Sequence, residues 1–107
     1  MAQVVRDLTG KVALVTGGGS GIGRGFVLSM AAKGAAVAVV DRRADAARQV
    51  ADEAAALGVS ARAYAVDVTD AGAMQATVQD VIANLGQLDF LFANAGVLGP
   101  ADYLDIT

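Results

Sequence analysis

Four short apolar runs alternate with three helical stripes, and that alternation narrows the possible folds more than any other feature of the chain. Lys11–Thr16 (KVALVT), Ala35–Asp41 (AAVAVVD) and Leu88–Ala93 (LDFLFA) are continuous apolar runs, and Ala61–Val66 (ARAYAV) is a weaker fourth. Runs of this length without polar alternation suit strands buried on both faces, which is the signature of a parallel sheet. Between them lie three helical patterns. Ile22, Phe26 and Met30 precede Lys33-Gly34; Ala47, Val50, Ala51, Ala54 and Leu57 precede Gly58; Met74, Val78, Val81, Ile82 and Leu85 precede Gly86. A glycine after the last apolar position is a common helix stop, and Thr69-Asp70 provides an N-cap and first turn for the third helix. The series reads βαβαβαβ, and right-handed crossovers place its helices on the two faces of one doubly wound parallel sheet.

With 107 residues the chain is one domain's worth of sequence. At 55% hydrophobic and 18% charged residues it carries enough apolar material to bury a core. It has no cysteine and no histidine, which removes disulfides, thiolate and imidazole metal sites, and Ser-His-Asp chemistry. Net charge is −3, and the charge is uneven: all eight basic residues lie at or before Arg62 beside five acids, and six acids with no base follow. An acidic chain of this kind is not expected to bind nucleic acid. No apolar run approaches membrane-spanning length, and the first residues lack a basic start followed by an apolar segment, so the expected location is the cytoplasm.

The loop Thr16-Gly17-Gly18-Gly19-Ser20-Gly21-Ile22-Gly23 joins the first strand to the first helix. In that setting small residues let the backbone turn sharply and approach a phosphate, while the helix start offers free N–H groups and partial positive charge. The alternative is a tight turn with no ligand. The P-loop pattern fails, because Arg24 and Gly25 stand where its lysine and hydroxyl belong. The strict G-x-G-x-x-G spacing fails too, leaving T-G-x-x-x-G-x-G.

Asp41 closes the second strand, 18 residues beyond Gly23. A carboxylate there can accept bonds from the 2′- and 3′-hydroxyls of an adenosine ribose. It also repels a 2′-phosphate, since a like-charge pair at ~4 Å costs about 4 kcal/mol at an effective dielectric of ~20. NAD is therefore favoured over NADP. Arg42 and Arg43 work against this if they turn toward the phosphate, but the more ordinary reading makes them solvated charges opening a helix. Asp67-Val68 follows the third strand and Asn94-Ala95-Gly96 the fourth. Ligands of open parallel sheets bind at the carboxyl ends of the strands, so all four loops converge on one crevice. Taken singly, Asp67 is equally a cap near Thr69, and Asn94 equally a bridge between loops.

With these motifs assembled, the chain resembles a short-chain dehydrogenase/reductase along nearly its whole length. The resemblance implies a Rossmann fold and reversible hydride transfer between a nicotinamide dinucleotide and an alcohol or carbonyl substrate. It implies cofactor contacts at Gly17, Gly19, Ser20, Gly21, Ile22, Gly23, Asp41, Arg42, Asp67, Val68, Asn94, Ala95 and Gly96. Gly25 stands where the family usually has alanine and is expected to weaken the first helix by ~1 kcal/mol. The family's catalytic Ser and Tyr-x-x-x-Lys pair are missing: Tyr64 is followed four residues on by Val68, Tyr103 by Thr107, and no lysine occurs after Lys33. Ser60 falls on the wrong end of the sheet, and Tyr103 reads as a packing aromatic. The expectation is that residues 1–107 are the cofactor half of a longer enzyme, inactive alone and homo-oligomeric when whole, with a fourth strand that lacks its next neighbour and exposes unpaired N–H and C=O groups. The alternatives are a non-catalytic nucleotide-binding or regulatory module, or a fragment that folds by exchanging elements with a second copy.

Overall fold

The computed structural model describes residues Leu8–Asn94. Its elements run β1 (Val12–Thr16), α1 (Gly21–Ala32), β2 (Ala36–Asp41), α2 (Ala44–Ala55), β3 (Ala61–Ala65), α3 (Ala71–Leu85) and β4 (Phe90–Ala93). All pairings are parallel and the sheet order is β3-β2-β1-β4. This is the expected α/β arrangement, a partial Rossmann-type sheet. The chain builds outward from β1 through β2 to β3, then returns over the sheet to lay β4 on the other side of β1. A constant crossover hand applied in opposite directions puts the covering helices on opposite faces.

Strand parity sorts the core accordingly, because successive side chains point to opposite faces. Ala13, Val15, Val37 and Val39 face α1 and α2, packing on Val27, Met30, Ala47, Val50 and Ala54. Val12, Leu14, Ala38 and Val40 face α3, packing on Val81 with Met74, Val78 and Leu85 at the margin. β1 and β2 are thus buried on both faces, which is why their sequences are continuous apolar runs rather than alternating ones. β3 and β4, the two edge strands, are largely exposed or half-buried.

Three helical stripes shift relative to the sequence expectation. On α1 the buried face is Gly23, Val27, Met30 and Ala31, while Ile22 is 76% exposed. A strict four-residue spacing drifts by roughly 40° per step against a 3.6-residue turn, so Ile22 and Met30 cannot share one narrow face. Leu57 lies past the end of α2 and is exposed, and Ile82 points away from the sheet. Thr77 takes the inward position on α3, its hydroxyl donating to the Ala73 carbonyl at 2.8 Å. The α3 N-cap is Asp70, which accepts from the Ala73 N–H at 3.0 Å, and Thr69 is left to serve Asp67. The glycine stops hold: Gly34, Gly58 and Gly86 each adopt positive φ just beyond a helix.

β4 begins at Phe90, two residues later than its apolar run. Asp89 occupies the place of the first rung: its N–H donates to the Val12 carbonyl at 2.9 Å while its Oδ2 accepts the Val12 N–H at 2.8 Å. The Gln87 amide braces the same corner by donating to Asp89 Oδ2 and the Gly10 carbonyl. Above it, Phe92 stacks on Phe26 of α1 with ring centroids 4.1 Å apart. The side chains of Phe90 and Leu91 stay exposed.

Candidate nucleotide-binding cleft

The carboxyl ends of all four strands open into one cleft of about 370 Å³, beside the point where strand order reverses. The β1–α1 loop forms its floor. Gly17 turns the chain at φ +65°, a conformation that side chains resist, and the Gly18 N–H anchors the loop on the Val40 carbonyl at 3.0 Å. Gly23 permits the loop to fold under its own helix, since a Cβ there would lie on top of the Gly17 carbonyl oxygen. Gly19 is just as constrained: a Cβ would stand 2.7 Å from Asp41 Oδ2 and 2.8 Å from the Ala46 methyl. At Gly21 a Cβ would meet nothing within 4 Å, and the constraint is instead its φ of +58°; the residue lines the opening. α1 starts here, and its first N–H groups have no partners within the helix.

Asp41 forms the second wall. It is 8% exposed and sits at the end of β2. Its Oδ2 accepts the Gly19 N–H and its Oδ1 the Arg43 N–H, each at 3.0 Å. Burial opposes its ionisation, but these two amides and the Arg43 guanidinium outweigh burial and hold the carboxyl below the usual carboxylate range. The charge is fixed in place without an external ligand.

The third wall is Val66, Asp67 and Val68, with Val66 tied to β2 through its N–H on the Asp41 carbonyl at 3.1 Å. Asp67 Oδ1 accepts the Thr69 N–H at 2.9 Å and hydroxyl at 2.7 Å. Those two bonds, aided by the Arg42 charge, keep its carboxyl below the ordinary value against a small effect of burial. Asp67 therefore shapes its own turn and also lines the cleft. Asn94 closes the fourth side, its N–H donating to Thr16 Oγ1 at 2.9 Å across the β1–β4 seam.

Of the residues singled out from sequence, Gly17, Ser20, Gly21, Ile22, Asp41, Arg42, Asp67, Val68 and Asn94 line this cleft. Gly19 and Gly23 lie behind it as packing contacts. Ala95 and Gly96 fall outside the described residues. Two participants escaped the sequence reading, and Arg43 departs from its more ordinary reading there. Val66 lines the wall at the end of β3. Thr16 supplies the buried hydroxyl that joins β4 to β1, a role its motif position alone could have suggested. Arg43 is no simple solvated charge: it folds back so that Nε lies 3.4 Å from Asp41 Oδ1 and Nη2 donates to Ser20 Oγ at 2.9 Å. That contact uses the Ser20 hydroxyl, which makes no cap bond to α1.

The architecture and motif spacing agree with comparisons to known proteins. A family model described as short chain dehydrogenase matches residues 11–107. The chain belongs to that family. It is 43% identical over 101 residues to D-threitol dehydrogenase of Mycolicibacterium smegmatis, covering 92% of this chain and 39% of that protein. It is 42% identical over 96 residues to 7alpha-hydroxysteroid dehydrogenase of Escherichia coli, covering 90% of this chain and 38% of that one. Among solved structures, an NAD+-bound xylitol dehydrogenase superimposes with a TM-score of 0.80 at 42% identity, covering 85% of this chain and 35% of the other. The chain thus spans well under half the length of the short-chain dehydrogenases it matches.

The donor set fits a dinucleotide on its own chemistry. Bare amides at a helix start suit a pyrophosphate, a fixed carboxylate suits a sugar diol, and the valine-edged wall suits a flat base. Among the described residues no group of three or more His, Cys, Asp or Glu side chains is placed to hold a metal, and no helix is long and apolar enough to cross a membrane.

Proposed function

We propose that residues 1–107 form the dinucleotide-binding portion of a single Rossmann domain in an NAD(P)-dependent oxidoreductase of the short-chain dehydrogenase type, acting on an alcohol or carbonyl substrate. The observation that carries this reading is the Asp41 carboxylate held 3.0 Å from the Gly19 amide, which ties the acid at the end of β2 to the glycine loop around one cleft. The amides of Gly17, Gly21 and Ile22 and the Ser20 hydroxyl receive the pyrophosphate, with Gly19 and Gly23 making the close approach possible. Asp41 and Arg42 address the adenosine ribose, and Asp67 and Val68 the adenine. Asn94 steadies the sheet end through its N–H on the Thr16 hydroxyl, and Ala95 and Gly96 are carried over as cofactor contacts from the family resemblance. When bound, the nicotinamide ring supplies the hydride acceptor or donor. Ile22, exposed at the lip of the cleft, would offer that ring an apolar surface.

The chain holds no Tyr-x-x-x-Lys pair, since its last lysine is Lys33. It has no group of that kind to move the substrate proton, and these residues bind cofactor without turning substrate over. Isothermal titration with NAD is the test. Saturable binding that raises the melting temperature, and its loss in Asp41→Ala, is the expected result. No heat and no thermal shift at millimolar NAD refutes the cofactor role, and alcohol oxidation by the purified chain refutes the account of its missing proton carrier.

A further inference from the structure

Among the described residues β3 has a hydrogen-bonded neighbour on one side only. Its ladder with β2 runs from the Val37 N–H on the Ser60 carbonyl to the Val66 N–H on the Asp41 carbonyl, in unbroken register from Ala61 to Ala65. In such a ladder alternate residues of a strand turn their backbone groups to the same side. Arg62 and Tyr64 therefore bond to β2, while the N–H and C=O groups of Ala61, Ala63 and Ala65 point away from the sheet. Edges of this kind are usually blunted by a proline, a bulge or a free charge. β3 has no proline and no break in register, and its one charge is neutralised along the strand. Arg62 Nε donates to the Tyr64 hydroxyl at 3.0 Å, and that hydroxyl donates to Asp80 Oδ2 at 2.6 Å. Arg62 Nη2 lies 3.6 Å from the same Asp80 oxygen.

We propose that β3 pairs this chain with a second copy of itself, antiparallel about a two-fold axis at Ala63, joining the two sheets edge to edge. It does not rest on the dinucleotide reading of the cleft. With the axis at Ala63, all the outward backbone groups find partners: Ala63 pairs with Ala63 of the second copy, and Ala61 with its Ala65. The same register sets Arg62 directly opposite Tyr64 of the second copy, in the closer, non-hydrogen-bonded kind of pair, with Asp80 of that copy beside it. Within one copy Arg62 already lies 6.0 Å over the Tyr64 ring and pairs with Asp80. Those contacts can be made between copies as well, and the charges of the paired Arg62 and Asp80 side chains cancel. A register slipped to centre on Arg62 leaves Ala65 unpaired and sets guanidinium against guanidinium, and like charges facing each other across a ladder are unfavourable. Because one patch serves both copies, the assembly closes as a dimer instead of growing into a fibre.

Sedimentation equilibrium of the wild-type chain between about 10 μM and 1 mM is the first measurement, and a reversible monomer–dimer equilibrium is expected in that range. Ala63 is exposed, so the monomer has room for a longer side chain there, which thermal melts of each variant check. Ala63→Lys and Ala63→Glu each set like charges against each other at the axis and are expected to weaken dimerisation by about tenfold. Mixed in equal amounts, the two variants bring opposite charges together and are expected to dimerise as well as wild type. Hydrogen exchange reads the same contact on the unaltered chain, where the Ala63 amide should exchange more slowly as concentration rises. A chain that stays monomeric up to about 1 mM, or an Ala63 amide that exchanges at one rate throughout, overturns the proposal. Dimers that neither variant weakens overturn it too, and place the contact on another surface, such as the exposed Phe90 and Leu91 of β4.

Discussion

Replacing Asp41 by Asn isolates the charge at the heart of the cleft with almost no change in shape. The amide retains one acceptor oxygen, enough for the Arg43 N–H, but presents an N–H2 to the Gly19 N–H that Oδ2 accepted at 3.0 Å. A charge-assisted bond of that kind contributes about 1.5–3 kcal/mol, and leaving a buried donor facing another donor forfeits most of it. The Arg43 ion pair adds little, because its guanidinium is more than half exposed and screened. The expected loss is about 2–3 kcal/mol at pH 7, and for a chain of this size that lowers the melting temperature by roughly 10–20 °C.

The pH dependence supplies the sharper check. The folded-state pKa of Asp41 lies below its unfolded value, so its contribution is fully present above the unfolded pKa of ~3.9 and is lost as pH falls through the folded pKa. Asn does not titrate. The gap in melting temperature between the two proteins should therefore be full near pH 6–7 and close as pH drops below ~4. Scanning calorimetry on both proteins across that range is the assay. A gap under about 2 °C at pH 7, or one that persists unchanged in acid, would show that the Gly19–Asp41 bond does not hold the loop.

Two further substitutions probe the scaffold. Thr16→Val keeps the shape of a buried side chain but orphans the Asn94 N–H, and is expected to cost about 1–2 kcal/mol in urea unfolding; no measurable loss would mean that the β1–β4 seam is not held there. Arg24→Ala removes a two-bond pair with Glu53 that links α1 to α2 on the surface, and should shift the melting temperature by less than about 2 °C at 0.15 M salt, a larger fall marking it as structural.

Much of this was legible in the chain because each level of pattern agreed with the next. β1 and β2 could be read as doubly buried strands since Val12–Thr16 and Ala36–Asp41 have no polar alternation, and burial on both faces is the state that removes the need for it. Asp41 stood out because it is the one charge at the end of such a run. What could not be read were positions decided by rotation or rotamer. Ile22 shares the spacing of Met30 but not its face, and only the docking of α1 on Val15 and Val39 fixes the angle. Arg43 is a surface charge by sequence, and its fold-back onto Asp41 and Ser20 depends on a loop geometry that exists only once β1 and β2 are paired. The late start of β4 is of the same kind, since a carboxylate at Asp89 completes a rung that backbone was expected to make.

Asp41 also shows how the fold stabilises a charge at the cleft without a ligand. A nearly buried carboxylate without ligand must find its hydrogen bonds inside the protein, or its burial costs more than the loop can return. Gly19 and the Arg43 backbone supply two of them through amides fixed by the loops themselves. The Arg43 guanidinium supplies the third from the open side, where a ligand must enter. A chain that used only the guanidinium would leave the glycine loop untethered. Dividing the task fixes the loop through the backbone and leaves one exchangeable side-chain bond on the open side of the cleft, so the guanidinium can be lost while the two amides still hold Asp41.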